Sequence, residues 1–331
     1  MDGRAPWVPR VVSALPGIFH SGIRCGQLPE TRPSTGGNLR RSAVLASLTA
    51  TAAAAMLSVA APASAINSYN AQPAPERTEV GALVVQYDRD GNPATPDVVR
   101  WSCSGTMISA NIFLTAAHCT ANRPAGAKFY VSLAQDVQGA IDDSNKTGGS
   151  PEEIAARVGV QGTAHWDPAY PGNSADAHDI AVIEFDDTQA ADLAKRWTFT
   201  PATLPGANQL SDLGSRALDA ADWQVMGYGT QEAVDQPGGQ VHPGGGVRMK
   251  ATVDFDALNN TWVRLAMNES RDLGGACYGD SGGPNFVTLD GRLVLAGTTI
   301  TGDTPCYATN VAYRTDSDSA RAFLGQYVTL P

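Results

Sequence analysis

Basic residues are scarce through most of this chain. Of the 23 Lys and Arg and the 33 Asp and Glu in 331 residues, six basic and two acidic ones fall in the first 65 positions, leaving 17 basic against 31 acidic beyond them. A body with a net charge of −14 repels nucleic-acid phosphates and anionic lipid. No basic stripe offsets it, so neither nucleic acid nor a membrane surface is a partner. Aromatic residues are few, at 7%, while glycine is plentiful, at 34 residues, which suits a loop-rich β protein better than a helical bundle. Cys-x-x-Cys and closely spaced histidines are both missing, which speaks against a zinc site, and no other metal or cofactor is implied.

Long hydrophobic runs are also rare, and the exception lies near the start. Arg40-Arg41 precedes an uncharged stretch over 42–62, followed by Ala63-Ser64-Ala65. A basic n-region, an apolar h-region and a small-x-small site together read as a secretory signal cleaved after Ala65. The run is almost long enough to be a membrane anchor, but its alanine and threonine content makes it weakly apolar. Residues 1–65 are therefore expected to be a leader and the mature protein to be secreted, extracellular and free of the membrane. Cys25 leaves with the leader. Cys103, Cys119, Cys277 and Cys306 remain, and four cysteines allow three pairings.

Gly279-Asp280-Ser281-Gly282-Gly283-Pro284 cannot be a regular helix or a central strand. It predicts a tight turn that exposes a hydroxyl beside inward-pointing N–H groups, the geometry acyl transfer needs. Upstream stand Leu114-Thr115-Ala116-Ala117-His118-Cys119 and Asp179-Ile180-Ala181-Val182. A base, an orienting carboxylate and a nucleophile thus occur in the chain order His, Asp, Ser. These three motifs resemble those of the trypsin-like, chymotrypsin-fold serine proteases, and the resemblance spans about residues 79–331.

That resemblance implies an all-β fold of two antiparallel six-stranded β-barrels, with the active site between them and a C-terminal α-helix. His118 and Asp179 would come from a first barrel over 79–195, and Ser281 from a second over 196–331. It implies catalytic roles for His118, Asp179 and Ser281, with Asp176 as the neighbour most easily mistaken for Asp179. The N–H groups of Gly279 and Ser281 would form the oxyanion hole. Gly275, Tyr278 and Gly302 would belong to the substrate pocket, and the disulfides would be Cys103–Cys119 and Cys277–Cys306. The partner is a polypeptide substrate, with a proteinaceous inhibitor as a further one, and the protein would act as a monomer. A serine esterase or acyltransferase, or an inactive protease-like binding module, are the competing readings.

Three departures from the family pattern stand out. The Ile-Val-Gly-Gly-like N-terminus of many relatives has only Glu79-Val80-Gly81-Ala82 as its counterpart, which leaves Asp280 without its usual partner. Gly275 stands where preference for Arg or Lys requires an aspartate, so an uncharged, small-to-medium apolar side chain is expected instead. Ile300-Thr301 stands where relatives have Ser-Trp before Gly302; isoleucine cannot bond the catalytic aspartate as that serine does, and a one-residue shift of register would place Thr301 or Thr299 there instead.

The remaining pattern is read along the chain. Residues 66–78 are polar and broken by proline, and predict a mobile N-terminal segment. Asp88-Arg89-Asp90-Gly91-Asn92 reads as a turn rather than a calcium loop, because its glycine falls too early. Alternation over 128–133, short apolar runs between turn signals and the family resemblance predict strands at 80–87, 101–109, 128–133, 180–185 and 223–230, and at 247–254, 262–266, 285–287, 293–299 and 308–313. Residues 151–159 fit either a helix or a strand, and 316–328 a closing helix. His165 is expected to be structural and His242 solvated.

Overall fold

A computed structural model of the chain describes residues 66–331 apart from Pro93, so the leader expected over 1–65 and its cleavage site lie outside the described residues. Six strands form the first barrel: β1 (Val80–Tyr87), β2 (Val98–Met107), β3 (Ile112–Thr115), β4 (Lys128–Ser132), β5 (Val160–Trp166) and β6 (Ala181–Glu184). They run in the order β1-β2-β3-β6-β5-β4 and close where β4 pairs with β1. The second barrel comprises β7 (Trp223–Gly227), β8 (Met249–Leu258), β9 (Trp262–Ala266), β10 (Pro284–Leu289), β11 (Arg292–Gly302) and β12 (Thr309–Arg314). Its order, β7-β8-β9-β12-β11-β10 with closure of β10 on β7, repeats the topology of the first. All pairings are antiparallel, and closure leaves neither barrel with a bare edge. The expected pair of six-stranded barrels is what the chain forms.

The side-chain pattern explains the strands. In β8, Met249, Ala251, Val253 and Phe255 point into the second barrel, while Lys250, Thr252, Asp254 and Asp256 face outward. β3 is buried on both faces, with Phe113 in the core of the first barrel and Ile112 and Leu114 in a core shared between the barrels. That shared core also takes Met226, Tyr228, Phe286 and Tyr313 from the second barrel and Phe323 and Leu324 from the closing helix. The two barrels are thus joined by apolar burial.

Helices are more numerous than expected. Besides the closing α5 (Asp318–Leu324), the chain forms α1 (Val137–Thr147), α2 (Pro151–Val158), α3 (Asp187–Arg196) and α4 (Gln209–Asp219). The segment that fitted either a helix or a strand becomes α2 because its start is strongly capped. Ser150 accepts from the Glu153 N–H, Glu153 reaches back to the Ser150 N–H, and Pro151 occupies the first turn. Such a cap stabilises by about 1 kcal/mol. β6 ends at Glu184 and β7 begins at Trp223, so α3 and α4 lie in the connection between the barrels.

Two buried arginines fix the junctions. The Arg248 guanidinium donates to the carbonyls of Ala74, Val80 and Leu133 and to the Tyr228 hydroxyl, at 2.9–3.1 Å. Arg314 makes a bidentate pair with Asp316, both bonds 2.8 Å and both side chains fully buried. Asp316 also accepts from the Leu210 N–H at the start of α4.

The N-terminal segment differs from expectation. Ile66 and Asn67 are fully buried, and Gln72–Pro73 pairs as a short strand with β8. Asn67 exchanges two backbone-directed bonds with Gly275 and donates its side-chain amide to the Cys306 carbonyl. Proline and polar residues made the stretch look free, but its partners lie more than 160 residues away. No helix among the described residues is long and apolar enough to cross a membrane.

Candidate active site

β3 ends at Thr115 and leads into a single 3₁₀ turn, Ala117–Cys119, which carries His118. β3 pairs with β6 in a register that sets Thr115 opposite Ala181. Asp179, two residues before β6, is thereby brought against the histidine turn. Its carboxylate accepts from the His118 backbone N–H at 2.9 Å and lies 2.8 Å from Nδ1. An acceptor-only group at Nδ1 keeps the proton there and turns Nε2 outward as a base. Asp176 is engaged elsewhere, accepting from the Tyr313 hydroxyl at 2.6 Å and the His178 N–H.

Ser281 comes from the second barrel, on the turn before β10. A cavity of about 550 Å³ is lined by His118 and Ser281 together with Tyr278, Gly279 and Gly302. No hydrogen bond joins the Ser281 hydroxyl to the imidazole among the described residues, where the His118 ring bonds Asp179. The turn is held from the first barrel by Ser104 of β2. Its N–H donates to the Ser281 carbonyl, its hydroxyl donates to the Gly279 carbonyl, and that hydroxyl accepts from the Tyr228 N–H, each at 2.9 Å. Gly279 has φ +98°, and a Cβ there would stand 2.4 Å from the Trp101 ring, so only glycine fits. Trp101 is itself pinned by its Nε1–H bond to Gln138 at 2.9 Å.

Asp280, beside the nucleophile turn, is fully buried. It accepts from the Gly229 N–H at 2.7 Å and the Cys277 N–H at 2.8 Å. Burial pushes its carboxyl from 3.8 up to about 7, against the opposing pull of those two bonds. No cationic side chain among the described residues pairs with it.

The disulfides are Cys103–Cys119 and Cys277–Cys306, closing sequence separations of 16 and 29 residues. Two cysteine–histidine groupings, Cys103 with His118 and Cys119, and His242 with Cys277 and Cys306, offer no thiolate to a metal because their sulfurs are bonded to each other.

The family model described as Trypsin matches residues 81–323. The chain belongs to the trypsin family. Comparison with curated proteins finds no match. A trypsin-family domain, two barrels and two disulfides make this a protein of the serine-peptidase type.

Several residues named from the trypsin-family pattern sit differently from expectation. Gly275 does not line the cavity. Both its N–H and its carbonyl bond Asn67, and a Cβ there would press on Met267 at 2.2–2.4 Å. Tyr278 and Gly302 do line it, and Tyr278 is half exposed. The segment over 299–301 supplies no side-chain bond to Asp179. Thr299 is turned inward to Asn285, and both bonds that Asp179 accepts come from His118. His242 is not free in solvent, since it packs edge-on against Tyr278 with ring centres 4.7 Å apart and reaches Cys277 Sγ at 3.3 Å. His165 lies 3.1 Å from Glu184 and against Tyr327, away from the cavity. Sequence reasoning gave no site role to Ser104 and Trp101, which brace the Ser281 turn from a distant part of the chain, or to Arg123, which lines the cavity.

Proposed function

We propose that the protein is a secreted serine endopeptidase that cleaves peptide bonds through an acyl-enzyme formed on Ser281. The observation that carries this reading is the two-point pairing of His118 with Asp179, facing Ser281 across one cavity. Ser281 Oγ attacks the scissile carbonyl as His118 Nε2 takes its proton. Asp179 holds the imidazole in the required tautomer and stabilises the imidazolium. The Gly279 and Ser281 N–H groups receive the oxyanion, each such donor being worth about 10²–10³ in rate. Collapse expels the amine, which takes its proton from His118, and water then repeats the sequence on the ester.

Gly275 stands where an Arg or Lys preference requires an aspartate, and the Asp303 carboxylate on the cavity wall is bonded to the N–H groups of Tyr307, Ala308 and Thr309. Cleavage after Arg or Lys is therefore not favoured, and an uncharged side chain of small to medium size is the substrate class. Activation is tied to the leader. Cleavage after Ala65 would make Ile66 the first residue. Its nitrogen lies 3.3 Å from the Gly229 carbonyl, while the Gly229 N–H bonds Asp280. An ammonium in that position supplies the cation that the buried Asp280 otherwise lacks. On this reading Ile66, rather than the Glu79-Val80 stretch, is the counterpart of the relatives' N-terminus. Glu79 is occupied by Arg77, and the Val80 N–H is bonded within its own turn.

The test uses residues 66–331 produced under oxidising conditions, alongside Ser281→Ala. Both are incubated with a proteome-derived peptide mixture, and new termini are read by mass spectrometry. Cleavage by the wild type alone supports the reading. Turnover of small esters with no peptide cleaved would move the protein to the esterases, and failure of Ser281 to react with a fluorophosphonate would leave a binding module.

A further inference from the structure

Positive charge is rare on this protein, yet an arginine faces the cavity that holds His118 and Ser281. Arg123 lies four residues beyond Cys119, in the loop that follows the histidine turn. Its Nε–H donates to the Cys119 carbonyl at 2.8 Å and an Nη2–H donates to Ser102 Oγ at 3.1 Å. These two bonds fix the guanidinium while leaving the rest of its five N–H donors uncommitted to either anchor. Neither Arg123 nor its neighbour Arg100 forms an ion pair among the described residues. Desolvation, and after it the charge of Arg100, lower the Arg123 pKa, as befits a partly buried cation lacking a counter-ion.

The position of Arg123 relative to the chemistry gives it a direction. On the peptidase reading, the amine released from the substrate sits next to His118, which hands it a proton. Ser102, Cys103 and Arg123 border the cavity on the side of the histidine turn. The opposite wall carries Asp303, whose carboxylate is occupied by the N–H groups of Tyr307, Ala308 and Thr309 at 2.6–3.0 Å. The cleft therefore has a fixed anion on the wall toward Cys277–Cys306 and a fixed, unpaired cation on the wall toward Cys103–Cys119. Arginine presented this way recognises a carboxylate with paired, charge-assisted hydrogen bonds.

We propose that Arg123, reinforced by Arg100, is a carboxylate-binding subsite that selects substrates with Asp or Glu in the first few positions after the scissile bond. The inference rests on the peptidase reading. Its test is a matched set of internally quenched peptides, identical before the cleavage point and carrying Asp, Asn or Lys at each of the next three positions. Wild type, Arg123→Gln and Arg123→Glu are compared by kcat/KM within each set. The wild type should prefer Asp over Asn by about tenfold at one of these positions, and the ratio should shrink as salt is raised. Arg123→Gln should remove the preference, and Arg123→Glu should turn it toward Lys, an outcome that itself certifies a folded enzyme. Equal cleavage of the three peptides by the wild type, or an Asp preference surviving in Arg123→Glu, overturns the subsite while leaving the peptidase reading intact. If the wild type cleaves no peptide from this set or from the proteome mixture, the peptidase reading falls and the subsite falls with it.

Discussion

A single residue added ahead of Ile66 should disable the protein at neutral pH and spare it in acid. With Ile66 in amide linkage, Asp280 sits fully buried with two backbone N–H partners, its carboxyl raised by burial from 3.8 to about 7. A shift of that size corresponds to about 4 kcal/mol of folding free energy. The folded-state pKa is the higher one, so the associated stability is fully present below pH 4. It is lost as pH rises toward 7, at up to about 1.4 kcal/mol per pH unit, and stays lost above. A free Ile66 ammonium in the same seat would hold Asp280 ionised and remove that slope. Its own stabilising effect would persist until the pH passes the raised pKa of the amine. The assay compares residues 66–331 with a form carrying one extra glycine at the N-terminus. Urea unfolding at pH 4 to 8 gives stability, and peptide cleavage at pH 7.5 gives activity. The extended form should match the mature one at pH 4, fall behind it by roughly 4 kcal/mol at pH 8 and lose most of its activity. Equal stability and activity of the two forms across the range would refute the pairing of Ile66 with Asp280.

Three other outcomes follow from the same structure. Asp179→Asn should leave the fold intact but lower kcat by about 10⁴, because the imidazole loses the partner that sets its tautomer; steady-state kinetics on any cleaved peptide will read this. Gly275→Asp should fail to create cleavage after Arg or Lys and should instead destabilise by about 2–3 kcal/mol in thermal unfolding, since the new side chain meets Met267 rather than substrate. Replacing both Cys277 and Cys306 by alanine should lower stability by about 3 kcal/mol and raise KM as well, because both cysteines form part of the cavity wall.

The parts legible in the sequence are those whose chemistry is written locally. His118, Asp179 and Ser281 each stand beside a short apolar strand or a glycine turn, so the residue and its support are adjacent in the chain. Most strands showed in the same way, through runs of alternating or continuous apolar residues. β5 was missed because Gly162 and Thr163 interrupt its pattern; its fit depends on Ile183 of β6, against which a Cβ at Gly162 would stand at 2.5 Å. α1 was missed because only Val137, Ile141 and Ser144 of its eleven residues are buried, too few for a clear period. Asn67 and Gly275 carry no local sign of their contact, because each meets the other across 208 residues of chain. Arg123 carried no local signal, since its importance comes from which cavity it borders.

The seat of the N-terminal segment also sets an order of events. Asn67 is received by Gly275 and the Cys306 carbonyl, and Ser68 by Glu232, all of them supplied by the second barrel and its loops. A chain emerging from its N-terminus first therefore has its beginning in hand long before the place where that beginning belongs exists. Until then Asn67 and Ser68 have none of these partners. Only when the final third of the polypeptide has folded does the opening segment find its socket. A copy cut short before Cys306 would lack part of the socket that holds Asn67.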